Sequence, residues 1–233
     1  MPRWYVGIDA LLREEKVRIS ANFSPVTHVP VSSDSGPGFV IGYRPTHWLT
    51  LETGAYRLRY IHRIRLISND LLFPTGYFGN YPGSSWTSWG IPVRAYVNPF
   101  AFSQAHPRRL QAQLMAGLGY ASFHRHLGRS VTFESSKPTA NFSTASDRVV
   151  NGHMPYLEGA LNLSYRLTSD LSLSLSLGRI IGLTTVHEVA ITSRPEGPEP
   201  PRQTVQTSKG TGPMLLFGLK YNFGPQVIEW ANR

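Results

Sequence analysis

The 233-residue chain contains no cysteine, which excludes disulfides, thiolate metal sites and cysteine nucleophiles. Charged residues make up only 16% of it, against roughly 25% in a typical soluble domain. Lysine is scarce: Lys16, Lys137, Lys209 and Lys220 are the only four, so arginine carries most of the +9 net charge. No apolar run approaches ~18 residues, which excludes a transmembrane helix. Helix-period segments are almost lacking. There is no GxSxG, no Walker loop and no GxGxxG opening a helix. A basic chain raises the question of nucleic acid, but no helix-turn-helix, zinc spacing or aromatic RNP-like strand is present, so no nucleic-acid partner is expected. His28, His47, His62, His106, His153 and His187 are scattered without metal-ligand spacing. No metal and no cofactor are expected.

Present instead are 21 Gly and 18 Pro beside 41% hydrophobic and 12% aromatic residues, a balance that folds rather than staying disordered. The dominant pattern is alternation with period 2, the mark of strands with unlike faces. In 156–167, Leu157, Leu161, Leu163, Tyr165 and Leu167 alternate with Glu158, Asn162, Ser164 and Arg166. After Thr168-Ser169-Asp170, Leu171, Leu173, Leu175 and Leu177 alternate with Ser172, Ser174 and Ser176, so the two segments form a tight hairpin. The same reading gives strands over 38–44, 48–66, 86–98, 110–126 and 214–223, and a first one around Val6, Ile8 and Ala10 that reaches about Ser20. That makes eight strands.

Two local conflicts stand out. In 48–66 the apolar residues are odd-numbered up to Ala55 and even-numbered from Leu58, with Arg57, Arg59, Arg63 and Arg65 opposite. A one-residue bulge would produce this, as would a strand passing from one environment into another. Pro92 lies inside a strand where it cannot donate to the ladder, so a local bulge is expected there too.

Connections alternate between longer (21–35, 67–85, 127–153, 190–211) and shorter (45–47, 99–109, 168–170). An even number of antiparallel strands with long loops at one end describes an all-β, eight-stranded antiparallel up-and-down barrel over 1–223, followed by a tail over 224–233. Two such barrels exist. A soluble lipocalin-like carrier turns its apolar face inward around a ligand; an outer-membrane barrel turns it outward to lipid. The polar faces favour the transmembrane form, with short periplasmic turns and long extracellular loops. They are rich in small residues and hold charges of both signs, Asp9, Glu52 and Glu158 with Arg44, Arg94, Arg166 and Lys220. Buried charges need partners, so these seven are expected to form a lumenal ion network. Tyr5, Tyr43, Trp48, Trp86, Trp89, Tyr165, Tyr221 and Phe223 near strand ends read as an interfacial girdle.

Several stretches carry a resemblance. GIPVRAYVNPF (90–100), LMAGLGYASF (114–123) and the terminal GLKYNF (218–223) resemble the small outer-membrane β-barrel proteins of Bacteroidetes, the porin-like or PorT-like group. The resemblance implies a bacterial outer-membrane location, both termini in the periplasm and no common catalytic residue. It also implies the barrel-assembly machinery as a partner during biogenesis, through a terminal strand ending in Phe223. Met1-Pro2-Arg3 runs straight into strand-like residues, so an export leader is expected to lie outside this numbering.

An eight-stranded barrel is just wide enough for its own side chains, so no open pore is expected. The function read from the sequence is non-enzymatic: a membrane anchor or surface and envelope-complex protein acting through 67–85, 127–153 and 190–211. Arg57, Arg59, Arg63 and Arg65, with His62, Arg125 and Arg129 nearby, are expected to bind anionic lipid such as lipopolysaccharide, or an acidic partner. The alternative is a lipid-modifying enzyme, similar to lipid A deacylases, built on Ser122, His124 and His126 with Glu134 near.

Overall fold

A computed structural model describes residues 2–20, 26–28, 34–61, 64–66, 79–81, 85–101, 109–123, 130–134, 142–194, 200 and 202–226. Eight long strands close on themselves: β1 (Pro2–Arg13), β4 (Asp34–Tyr43), β5 (Leu49–Ile61), β8 (Ser85–Val97), β9 (Leu110–Ser122), β12 (His153–Arg166), β13 (Leu171–Gly182) and β16 (Gly212–Gln226). The barrel order is β1-β16-β13-β12-β9-β8-β5-β4, every pair antiparallel. All eight alternating segments are barrel strands. β16 runs past Phe223 to Gln226, with Gly224 at φ 87° where the β1–β16 register shifts; the remaining tail lies outside the described residues.

The register fixes the tilt. Cross-strand partners followed round the barrel from Arg179 run through Gly159, Ala116, Ala95, Leu51, Tyr43 and Trp4 to Phe223. Phe223 lies ten residues along β16 from Pro213, the residue Arg179 faces across the β13–β16 seam. A stagger of this kind requires strands inclined by about 35–45° to the barrel axis.

The faces are those of a membrane barrel. Outward side chains include Ile8 (66% exposed), Leu118 (62%) and Phe39 (60%), while Glu52, Arg94, Asn162 and Ser176 are buried inside. The soluble carrier, which needs the opposite arrangement, does not fit. Trp4 and Tyr43 pack together, ring centroids 4.5 Å apart, on the outer face at the end with the short turns. Tyr5 is a correction to the expected girdle: it has the opposite parity from Trp4 and is buried in the interior, 1% exposed.

Neither segment carries the expected bulge: Thr53 pairs with Val93 and Tyr56 with Gly90 in the same register, the β5–β8 pairing being interrupted only at Gly54 and Ala55 opposite Pro92 and Ile91, and Pro92 pairs with Gly119 without a shift. The phase change in 48–66 is a change of environment. Arg57 continues the outward face into solvent, while Tyr56 and Leu58 turn into an interior that is apolar at this height. At Pro92 the Thr53 hydroxyl donates to the proline carbonyl at 2.8 Å.

The long connections expected as loops contain strands. β2 (Val17–Ser20), β3 (Val26–His28), β6 (Ile64–Leu66), β7 (Gly79–Tyr81), β10 (Ser130–Glu134), β11 (Phe142–Val149), β14 (His187–Arg194) and β15 (Arg202–Ser208) form a five-stranded sheet, β10-β11-β14-β15-β2, and a three-stranded one, β3-β6-β7. Each prolongs a barrel strand, and the two sheets repeat the barrel's own order. The wall therefore carries on as a second tier at the long-connection end. Among the described residues it is unpaired at two seams, β2 beside β3 and β7 beside β10.

Candidate functional site

The interior groups its side chains in two layers. Near the short turns, three neighbouring rungs bring Glu52, Arg94, Gly117 and Glu158 side by side on β5, β8, β9 and β12. Gly117 leaves room for a crossing: a Cβ there would lie 3.0 Å from the Arg94 side chain and 3.5 Å from Glu158 Oε2. Arg94 donates over it to Glu158, Nε to Oε2 at 2.5 Å and Nη2 to Oε1 at 3.1 Å, a bidentate pair. Its Nη1 donates to Glu52 Oε1 at 3.3 Å and to the Tyr56 hydroxyl.

Glu52 is the hub. Lys220 Nζ reaches its Oε2 at 2.5 Å, the Tyr5 hydroxyl donates to the same oxygen at 2.6 Å, and the Tyr96 hydroxyl donates to Oε1 at 2.7 Å. Tyr5 gets there by lying across Gly42, which separates it from Glu52 in the ladder and whose Cβ would overlap the ring. Lys220 Nζ also sits 4.8 Å and 5.1 Å from the centroids of Tyr5 and Tyr96, within cation–π range. Asp9 accepts a hydrogen bond from Tyr56 through Oδ2, while its Oδ1 has no hydrogen-bond partner.

Five of the seven residues expected in the lumen, Asp9, Glu52, Arg94, Glu158 and Lys220, are thus linked directly or through Tyr56. The other two lie nearer the short turns. Arg44 donates to Asn222 Oδ1 at 2.9 Å and stacks on Tyr5 with Cζ 4.7 Å from the ring centroid. Arg166 forms no ion pair among the described residues, and its Nη2 is buried without a hydrogen-bond partner. Tyr5, expected in the girdle, and Tyr56, Tyr96 and Asn222 are not among the expected lumenal residues, although each shares inward parity with a charged residue: Tyr5 with Asp9, Tyr56 with Glu52, Tyr96 with Arg94, Asn222 with Lys220.

Toward the second tier the interior is mainly apolar, although Arg13, Ser88, His187, Gln206 and Ser208 are also buried at that end. Leu11, Leu58, Phe123, Val149, Met154, Tyr156, Ile180, Val186, Met214 and Leu216 form one buried cluster with the layer below. No group of three or more His, Asp or Glu that could hold a metal ion occurs among the described residues.

The expected basic stripe is only partly placed. Arg57 is exposed on the outer face; Arg59 and Arg65 fall on β5 and β6, and Arg63 lies outside the described residues. His124 and His126 also lie outside them. Ser122 is exposed on the outer face, but the histidine opposite it is His153, whose Nδ1 is engaged by the Tyr120 hydroxyl. A tyrosine hydroxyl thus occupies the position at which a hydrolytic triad places a carboxylate.

No family model matches the chain, and no curated protein matches it. Solved structures do. The outer membrane protein OprG from Pseudomonas aeruginosa matches at 11% identity over 96% of this chain and 97% of that one, with a TM-score of 0.57. The fold is that of a small outer-membrane β-barrel. Looser matches include Neisserial surface protein A (14% identity, 94% of this chain and 97% of that one, TM-score 0.43). Another is the outer membrane protease OmpT from Escherichia coli (11% identity, 95% and 97%, TM-score 0.44).

Proposed function

We propose that the protein is an integral, non-enzymatic barrel of a bacterial outer membrane, closed to diffusion, which anchors the second tier of strands at the cell surface for interaction with a partner. The observation that carries this reading is the filled lumen. Arg94 and Glu52 are buried to within 1–3% of complete exclusion, and the apolar cluster from Leu58 to Met154 lies above them. Breaking such a layer leaves unpaired charges in a place without water, which is costly. Short turns face the periplasm and long connections the exterior in barrels of this kind, so the two sheets project outward. Arg57 and Arg59 on β5 and Arg65 on β6 fall where the wall passes into that tier, with Arg63 between them in the sequence, which supports contact with lipopolysaccharide phosphates or an acidic protein. The stretches at 90–100, 114–123 and 218–223 support placing the chain with the porin-like, PorT-like group, matured by the barrel-assembly machinery.

Conductance of the refolded protein in a planar lipid bilayer tests the closed lumen. The expected record shows no stable stepwise current. Reproducible unitary steps from the wild-type protein would overturn the reading and make the lumen a pathway.

A further inference from the structure

On the outer wall, one rung of the barrel carries Arg57, Trp89, Ser122 and His153 side by side on β5, β8, β9 and β12: Arg57 pairs with Trp89, Trp89 with Ser122 and Ser122 with His153. All four residues are exposed. Tyr120, exposed one outward position below, engages His153 Nδ1 with its hydroxyl and stacks on the ring with centroids 5.7 Å apart. When that hydroxyl donates, the ring proton lies on Nε2, which is left to donate to an acceptor outside the wall. The row tops the apolar belt, since the outward residues beneath it are Ile91, then Val93, Leu118 and Leu157. It also marks where the sealed wall ends. β8 and β9 stop pairing at Trp89 and Ser122, whereas β8 pairs with β5 as far as Ser85, and the Ser88 hydroxyl closes the end of the seam by donating to the Ser122 carbonyl.

We propose that this row binds the phosphorylated headgroup of an outer-leaflet glycolipid, one with a phosphate at each end, Arg57 meeting one phosphate and His153 Nε2 the other. The inference rests on the reading of the chain as an outer-membrane barrel whose rim touches lipid phosphates, and it moves the contact from a stripe along one strand to a row across four. Neighbouring strands lie about 4.8 Å apart, so three intervals put Arg57 and His153 about 14 Å apart along the wall. One phosphate does not fill that span; a headgroup with phosphates at both ends does. Guanidinium forks match phosphate in two-point geometry. Between the ends, Trp89 and Ser122 offer a ring and a hydroxyl to the sugars, and amphipathic rings of this kind settle at headgroup depth. The acyl chains then run down the belt over Ile91 and Leu118. Charge complementarity selects this occupant: the row holds a cation and a ring donor and no carboxylate.

The test is native mass spectrometry of the refolded full-length chain in maltoside micelles, titrated with bisphosphorylated lipid A, its monophosphorylated form and phosphatidylglycerol. The expected result is one lipid A retained per chain in preference to the other two. Retention is expected to weaken about tenfold with Arg57→Gln and with His153→Phe, the scale of one hydrogen bond to a charged group. It is expected to be unchanged by Arg179→Gln, an exposed arginine on β13. With the monophosphorylated form, only one of the two row variants is expected to weaken binding further, because only one end of the row still meets a phosphate. Each variant is first shown to be folded by its mobility on a cold gel, so that lost binding is not lost structure. Lipid A binding that is lost in Arg59→Gln and Arg65→Gln but unchanged in Arg57→Gln and His153→Phe would overturn the row and leave lipid contact at the rim standing. Equal retention of phosphatidylglycerol would overturn the proposal, and no retention of lipid A by the wild-type protein would overturn it together with lipid contact at the rim.

Discussion

Gly117 and Gly42 act through the side chain they lack. Each stands between two long inward residues, and each lets one of them lie across the barrel wall to a partner two strands away: Arg94 to Glu158, Tyr5 to Glu52. This is why small residues and opposite charges occur together on the inward parity. Glu52 holds four partners, so its removal leaves Lys220 and Arg94 short of countercharge and two tyrosine hydroxyls without an acceptor. Glu52→Ala is expected to cost roughly 3–5 kcal/mol of stability, the scale for breaking a buried pair from one side. Urea unfolding in lipid vesicles measures it; a loss below about 1 kcal/mol would show the network to be dispensable. The charged members of this layer were legible as residues of both signs sharing the polar faces. Their bonding was not, because alternation gives a side chain's face and leaves its reach and height along the barrel open. Tyr5 shows the limit: aromatic and near a strand end, it reads as an interfacial residue until its parity with Gly7 and Asp9 is given more weight than its chemistry.

At the level of the strand, parity carried nearly everything. Leu against Ser in 171–177 and Leu against Asn, Ser and Arg in 156–167 mark β13 and β12 because one face meets an apolar surround and the other a polar interior. Where the surround changes, so does the pattern. β5 keeps a single register from Leu49 to Ile61 while its outward face passes from Leu51 to Arg57. The strands of the second tier were hidden for the same reason. With little contrast between faces, segments such as 142–149 and 202–208 read as polar loops, although the alternation of Val189 and Ile191 with Glu188 and Thr192 was an available signal. The outward face of β1 offers a graded test. Ile8 lies halfway between Trp4 at the turn end and Leu12 at the other, and Ile8→Arg is expected to destabilise by roughly 2–4 kcal/mol against ~0–1 kcal/mol for Leu12→Arg. Equal costs from the same unfolding measurement would mean that β1 does not cross hydrocarbon.

For the molecule as a whole, the inversion of faces decides everything else. An apolar belt outside and charges inside make sense only with lipid around the belt, and the filled lumen directs any contact with other molecules to the ends of the barrel, the second tier above all. The architecture was legible in the sequence because strand number, parity and the alternation of short and long connections are local properties. The closing stagger between β1 and β16 and the second tier were not, since both depend on pairing between distant segments. The most direct test of the account compares unboiled and boiled samples on SDS gels after refolding into detergent, with a detergent-free control. A folded band whose mobility shifts on boiling is expected, with aggregation when detergent is left out. A monodisperse protein without detergent, with no heat-dependent shift, would contradict it and place the apolar face inside.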